Sequence, residues 1–403
     1  MVANELFRLE MNLTFLLKKG WRKLWQTTLY GFWKVFKIFH VSRKLPEKVQ
    51  HILLLPIGGI GNFIMFTPLI ATLRKKYPQA HFTVIIRSRG AGKVIRGYPN
   101  CHVIEFDFEN LLAVIRFARK NKLPKFDLAF NCETFYGACL AKLCGTRFLV
   151  SFTYSFGITS QGDFLCYRSC HVDHQKHEVK QYFDLYRLLH PGEKELKEDQ
   201  FFVLNSSDEK FADELINSHS INGPIIGMHI GSLPQVPEKR WPTEKFAELA
   251  NQLSKIYKAT IIVDGGSGEI EVVKQFQKLL DKNVNFKNIV NQYSLKQSAA
   301  IMKACDLFIS NDSGPMHIAA AVRTPTIGIF GPTNPVKNSP WGDPAKMKVV
   351  REELPCSPCY QPFSSFVKCT NSNYLECMTN ISVEKVFAEA KELLDSMDND
   401  SVQ

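Results

Sequence analysis

Ile52-Leu53-Leu54-Leu55-Pro56-Ile57-Gly58-Gly59-Ile60-Gly61-Asn62-Phe63 is the stretch from which the architecture follows. Its four leading apolar residues show no alternation of wet and dry faces, so they form a short strand buried on both sides. The glycines turn the chain sharply and residues 62–73 open a helix. Strand, glycine turn and helix make the first unit of a doubly wound α/β domain. Further strands fall at 82–86, 103–106 and 127–130, with helical stretches between them. Near Ile225 the series restarts with Ile225-Ile226-Gly227-Met228-His229-Ile230, the helix Thr243–Tyr257 and strands at 259–263, 306–310 and Thr326–Phe330. Two such series mean two Rossmann-like domains, divided between Asn205 and Gly223, with ligands expected in a cleft at the carboxyl ends of the strands. A dinucleotide fingerprint is not met: the glycines lack the G-x-G-x-x-G spacing, and the acidic residue about 20 positions on is missing, which disfavours an NAD-linked oxidoreductase.

The chain has 403 residues, 45% apolar and 22% charged, a globular mixture that excludes wholesale disorder and collagen-like repetition. The net charge of +11 is uneven: residues 1–48 hold ten Lys/Arg and three acids, or +7, leaving +4 for the other 355 residues. Within that arm Trp21, Trp25, Leu29, Phe32, Phe36 and Phe39 recur every three or four residues, one apolar stripe if helical. Lysines and arginines interrupt it, so neither a span of about 20 apolar residues nor a secretory signal is expected. A basic, aromatic amphipathic helix suits the surface of an anionic bilayer; packing on the protein's own body or on a second subunit are the alternatives. Nucleic acid is disfavoured, because no basic patch recurs near the later motifs.

The second half carries the sharper chemistry. Ser310-Asn311-Asp312-Ser313-Gly314-Pro315-Met316-His317 follows a strand and opens a helix of small residues. Asp and Ser cap helices and Pro suits a first turn, so free N–H groups and the helix dipole there offer an anion site suited to phosphate. The plainer reading is a well-capped helix with His317 as an interior histidine. Glu238-Lys239-Arg240-Trp241-Pro242 places two cations in the loop after the domain's first strand, and Asp264-Gly265-Gly266-Ser267-Gly268-Glu269 follows the next strand. Together these loops can hold a nucleoside diphosphate, with Lys239 and the helix N–H groups on the phosphates and Glu269 on the ribose hydroxyls.

In these motifs, together with the Gly-x-Gly-Asn62-x-x-x-x-Thr67-Pro68 turn and Phe330-Gly331-Pro332-Thr333, the sequence resembles the ADP-heptose:lipopolysaccharide heptosyltransferases of glycosyltransferase family 9, from about His51 to Leu394. The resemblance implies a GT-B fold, acceptor on the N-terminal domain and nucleotide-sugar on the C-terminal one, with a final helix (Val383–Leu394) returning toward the first domain; the chain then divides into the amphipathic arm at 1–48, an acceptor domain at 49–210, a nucleotide-sugar domain at 211–352, a Cys-rich loop at 353–380, and a terminal helix and tail at 381–403. It also implies inverting transfer without a catalytic metal, with Ser232, Lys239, Glu269, Asp312, Ser313, Gly314 and His317 on the ADP-sugar donor. The family places an Asp after the glycine turn as the base that deprotonates the acceptor. Here that position is Asn62, and an amide takes no proton near neutral pH. Glu133, past the strand at 127–130, is then the candidate base unless it is merely an exposed loop carboxylate, with Asp163 and Asp173 behind it; otherwise the chain is slow or inactive, or its acceptor arrives already ionised. The resulting expectation is a transferase moving heptose from ADP-heptose to a lipopolysaccharide-core or other glycolipid acceptor, a protein acceptor being a further option, peripheral at the cytoplasmic face of a bacterial inner membrane. The alternative is a non-catalytic, membrane-attached nucleotide-sugar-binding scaffold.

Cys356, Cys359, Cys369 and Cys377 lie in a C-x2-C-x9-C-x7-C pattern. Without a secretory signal this reads as a structural zinc or iron site of four thiolates, against a reduced loop or a pair of disulfides. His171, His174 and His177 recur every third residue, near one face of a helix, and with Cys166 and Cys170 read as structural rather than metal-binding. The remaining five cysteines, Cys101, Cys132, Cys139, Cys144 and Cys305, read as core residues.

Overall fold

The computed structural model describes residues 44–87, 90–107, 110–133, 135–153, 165–218, 223–232, 236–360 and 369–400. The aromatic stripe of the N-terminal arm and Asp163 lie outside these residues. The first series runs β1 (His51–Leu55), α1 (Ile60–Lys76), β2 (His81–Ile86), β3 (Cys101–Glu105), α2 (Leu111–Asn121), β4 (Leu128–Asn131), α3 (Phe135–Leu143), β5 (Phe148–Thr153), β6 (Arg168–His171) and α4 (Glu178–Leu189). The second runs α5 (Ser206–Asn217), β7 (Ile225–His229), α6 (Thr243–Tyr257), β8 (Thr260–Val263), α7 (Ile270–Lys278), β9 (Asn285–Asn288), α8 (Leu295–Lys303), β10 (Leu307–Asn311), α9 (Gly314–Ala321), β11 (Thr326–Phe330), α10 (Pro335–Asn338), β12 (Met347–Arg351), α11 (Glu376–Thr379) and α12 (Val383–Asp400).

Two six-stranded sheets result, ordered β3-β2-β1-β4-β5-β6 and β12-β11-β10-β7-β8-β9. Read from opposite ends the two orders coincide, the doubly wound order with a reversal between the first and fourth strands of each series. The reversals fall between β1 and β4, where Leu55 stands opposite Asn131, and between β7 and β10, where His229 stands opposite Ser310; both pairs are parallel. Compactness divides the elements into two units: one holds β1, α2, β4, α3, β5, β6 and the end of α4, and the other holds α1, β2, β3, the start of α4 and everything from α5 onward.

The strands at 127–130 and 306–310 begin one residue later than the apolar pattern suggests, for the same reason in each sheet. Asp127 Oδ2 accepts the backbone N–H groups of Gln50 and His51 at 2.8 and 3.0 Å, ahead of β1. Asp306 Oδ2 accepts the N–H of Ile225 at 2.7 Å, at the head of β7. A carboxylate at the foot of the fourth strand thus satisfies donors that the neighbouring strand leaves over.

Alternation along the strands of the second sheet separates its two faces. Ile226, Met228, Ile261, Val263, Leu307 and Ile309 turn to the side covered by α6 and α12, where Trp241 and Phe246 complete the core. Ile225 and Ile262 turn to the side covered by α5 and α8. The terminal helix buries Val383, Val386, Ala390, Leu393 and Leu394 in this second-sheet core, at about 1.5–3 kcal/mol for each valine and leucine. It therefore packs onto the second sheet. The histidine triplet departs from its expected helix: His171 ends β6, His174 lies in the following turn, and His177 is buried just ahead of α4.

Candidate functional site

The second sheet's reversal gathers the sequence motifs around one side chain. Asn311 ends β10 fully buried, and its Nδ2 donates to the carbonyls of Ile230 and Gly231 at 3.2 and 2.9 Å. Its Oδ1 accepts the N–H of Trp241 at 2.9 Å. One amide thereby ties the loop after β7 to the loop after β10. Trp241 is anchored at its other end, where Nε1 donates to the Ile381 carbonyl at 3.0 Å.

On this frame Lys239 Nζ meets Asp312 Oδ2 at 3.0 Å, both side chains being mostly buried. The same ammonium lies 4.9 Å from the centre of the Tyr360 ring. Arg240 Nε donates to Ser232 Oγ at 3.0 Å, and that hydroxyl in turn donates to the Val236 carbonyl. Ser313 stands at the N-cap of α9 but leaves the cap unbonded; its Oγ pairs with Ser310 Oγ at 3.1 Å. With Gly314 and Pro315 opening the helix, the first N–H groups remain available to an anion beside the Lys239 charge.

Glu269 is buried beside this frame. Its Oε2 accepts the Gly266 N–H at 2.8 Å, and its methylene stem lies where a side chain at position 231 would project, so Gly231 is required for close approach. Asp264, just before, has its carboxyl pushed up to about 6, chiefly by burial; the Gly265 N–H and the Ser298 hydroxyl, which donates to Oδ1 at 3.2 Å, oppose the shift. Burial also lowers His229, whose Nδ1–H donates to the Asp264 carbonyl.

His317 lies in the first turn and a half of α9. Burial above all lowers it to about 4, Asp312 opposing and His177 and Lys239 assisting, so the ring is neutral near pH 7. Its Nδ1 is buried without a partner. A methyl on Gly61 would lie 2.7 Å from His317 Cδ2, which is why the first turn of α1 needs glycine there. Gly59, at φ 104°, supplies the turn's left-handed conformation. Asn62 Nδ2 donates back to the Gly58 carbonyl at 3.1 Å, closing the turn. An ionised carboxylate at that position cannot make this bond.

Glu133 follows β4 in the other compact unit and is buried, which excludes the exposed loop carboxylate. Asn131, fully buried, donates from Nδ2 to the Glu133 carbonyl at 3.2 Å and to Ser151 Oγ at 3.0 Å, fixing the backbone there. Asp173 is exposed and turned to its own loop, accepting the Gln175 N–H at 2.9 Å. Arg240 as the partner of Ser232, Asn311 as the tie and Tyr360 over Lys239 emerge only in the fold. Tyr360 lay beyond sequence reasoning, since only the fold brings the segment after β12 over Lys239.

In the C-terminal loop, burial first and then Cys359, Cys356 and Cys369 push the Cys377 thiol up to about 11. Burial, Cys356 and Cys369 likewise raise Cys359. The four thiols therefore lie within electrostatic reach of one another, and none is in a disulfide. Among the described residues no group of three or more His, Cys, Asp or Glu is arranged to hold a metal ion. Burial raises Cys101, Cys139, Cys144 and Cys305 as well, in keeping with interior thiols. No helix among the described residues is long and apolar enough to cross a membrane.

A profile of glycosyltransferase family 9 (heptosyltransferase) matches residues 114–369. The lipooligosaccharide heptosyltransferase 2 of Campylobacter jejuni is 29% identical over 342 residues, which cover 83% of this chain and 95% of that one. Among solved structures, a family 9 glycosyl transferase from Veillonella parvula superposes with a TM-score of 0.73 at 23% identity, covering 88% of this chain and all of that one. The ADP-heptose lps heptosyltransferase II of E. coli superposes at 0.67 and 21% identity, covering 87% and 99%. Those likenesses extend to the GT-B-like fold.

Proposed function

The chain belongs to glycosyltransferase family 9 and is a glycosyltransferase, and on that premise we propose that it moves heptose from ADP-heptose onto a lipopolysaccharide-core or related glycolipid acceptor at the inner face of the bacterial inner membrane. The observation that carries the reading is the pairing of Lys239 with Asp312 beside the open N-terminus of α9 at the second sheet's reversal. The attacking acceptor oxygen forms a bond to the anomeric carbon while the bond from that carbon to the diphosphate breaks. The negative charge growing on departing ADP meets Lys239 and the N–H groups of Ser313 and Gly314, a preorganised electrostatic site. Glu269 takes the ribose hydroxyls, Ser232 lines the phosphates, and neutral His317 accepts a hydrogen bond at Nδ1. No metal takes part in the transfer.

Glu133 is the proposed base, since Asn62 serves as a donor to Gly58. That same bond supports the second reading, a nucleotide-sugar-binding scaffold without turnover. ADP release from ADP-heptose with inner-core acceptors, followed for the natural chain, Glu133→Gln and Asn62→Asp, separates the two. The transferase predicts turnover by the natural chain, a loss of about 10²–10⁴-fold in Glu133→Gln, and no gain in Asn62→Asp. Turnover confined to Asn62→Asp overturns Glu133 as base and favours the scaffold.

The proposal includes a structural zinc or iron held by Cys356, Cys359, Cys369 and Cys377, supported by their spacing and mutual electrostatic reach. As they stand the thiols are not in a metal-binding arrangement, so this requires the loop to tighten, and no step of transfer runs through it. Elemental analysis of protein purified without chelator checks it; a metal content near zero with the loop reduced removes the site.

A further inference from the structure

Helix α2 buries a single residue, Val114. Its outer face carries Leu112, Arg116, Arg119 and Lys120, at spacings that align on one side of a helix, and all four are exposed. Residues 110–126 hold five cations and no acid, whereas the rest of the chain beyond residue 48 sums to −1. Among the described residues Arg116, Arg119, Lys120 and Lys125 form no ion pair, so this charge is not spent within the protein. Leu112 is 64% exposed, and Leu143, at the end of neighbouring α3, is 52% exposed. The α3 end abuts the same surface: a methyl on Gly145 would lie 3.4 Å from Lys125 Cγ.

We propose that this face of α2 and the end of α3 dock on an anionic bilayer surface, as a second attachment separate from residues 1–48. An exposed leucine near the start of α2, a helix about 16 Å long that carries the cations, and another at the end of neighbouring α3 match a layer of phosphates over acyl chains. Leucine side chains enter the headgroup boundary while the arginines and lysines meet lipid phosphates from long apolar stems. A protein interface has the opposite anatomy, an apolar centre inside a charged rim. A membrane-resident acceptor would make the surface useful, but the charge and exposure carry the inference without it.

Hydrogen–deuterium exchange of the full chain tests it, with vesicles of phosphatidylglycerol and phosphatidylethanolamine against vesicles of phosphatidylcholine alone. The expected result is slowed exchange in residues 110–125 and 141–147 on the anionic vesicles only. The triple variant Arg116→Ser, Arg119→Ser, Lys120→Ser lowers partition onto them by about 100-fold, from about fivefold per cation. Unchanged exchange at 110–125 while the chain binds anionic vesicles overturns the proposal. So does equal protection on phosphatidylcholine, or protection that appears without vesicles as protein concentration rises, which would make the face a contact between copies of the chain.

Discussion

The loop after β1 and the loops after β7 and β10 occupy equivalent stations in two sheets of one strand order, yet they are furnished differently. At the second sheet's reversal a buried amide, Asn311, ties three backbone groups, and the ion pair of Lys239 and Asp312 sits on the frame it makes. At the first, Asn62 closes a glycine turn with one bond to Gly58, and neither end of that bond is charged. The first sheet's carboxylate, Glu133, comes instead from the end of β4, over a buried Asn131 that fixes its backbone. The lesson is that the topology fixes where ligands can go, while the side chains at each reversal decide what they can do. One station sets a buried ion pair beside an open helix N-terminus, and the other is shaped by backbone.

Removing the charge should break that comparison most visibly. Lys239→Met is expected to lower kcat by about 10²–10³-fold, the usual loss when one preorganised donor to a developing anion is deleted. Steady-state kinetics with ADP-heptose check it, with the thermal midpoint measured in parallel, because Asp312 is left buried without its partner. A change in KM alone would mean that Lys239 binds the ground state and transition state equally.

Asn311→Ala removes the tie without touching the charge. Three buried backbone groups lose their partner, and the expected cost is about 3 kcal/mol of stability, read as a lower urea midpoint with an unchanged slope. Asn62→Ala, which frees one part-buried carbonyl, should cost under half as much in the same measurement, because water reaches that turn.

A further effect is electrostatic. Asp264, raised to about 6, holds its proton more tightly in the folded chain than in the unfolded one, so its contribution favours folding at low pH and is lost as pH rises through 6. His317 and His177, each lowered to about 4 mainly by burial, act in the opposite sense: their contribution is complete above 6.5 and is lost as pH falls toward 4. Asp264→Asn should therefore raise stability at pH 7, on the order of 2 kcal/mol, and steepen the loss of stability between pH 6.5 and 4. Urea titrations at several pH values check both the sign and the window.

Much of the second sheet was legible because its strands are short apolar runs bounded by glycine, proline and acidic residues. Helix Thr243–Tyr257 and strand Thr326–Phe330 stand where the sequence placed them. Strands β6 and β9 were not legible: Arg-Ser-Cys-His and Asn-Phe-Lys-Asn are edge strands, half-wet and polar, with neither an apolar run nor a clean alternation. At the site, the sequence supplied Lys239, Asp312 and His317 through motifs that follow strands. It did not supply the Lys239–Tyr360 contact or the spatial role of Asn311, because these depend on which loops adjoin once β10 lies between β7 and β11.

The close seating of Gly61 against His317 bears on how this chain can be recombined with its relatives. A crossover in the segment between Asn205 and Gly223 looks natural from sequence, but it would take the glycine turn from one parent and helix α9 from the other. Any parent with a side chain at position 61, or a differently set ring at 317, would then force the two backbones apart. Hybrids that inherit residues 58–66 and 312–321 from the same parent should fold, and those that mix them should populate the insoluble fraction, whatever the origin of the remaining chain.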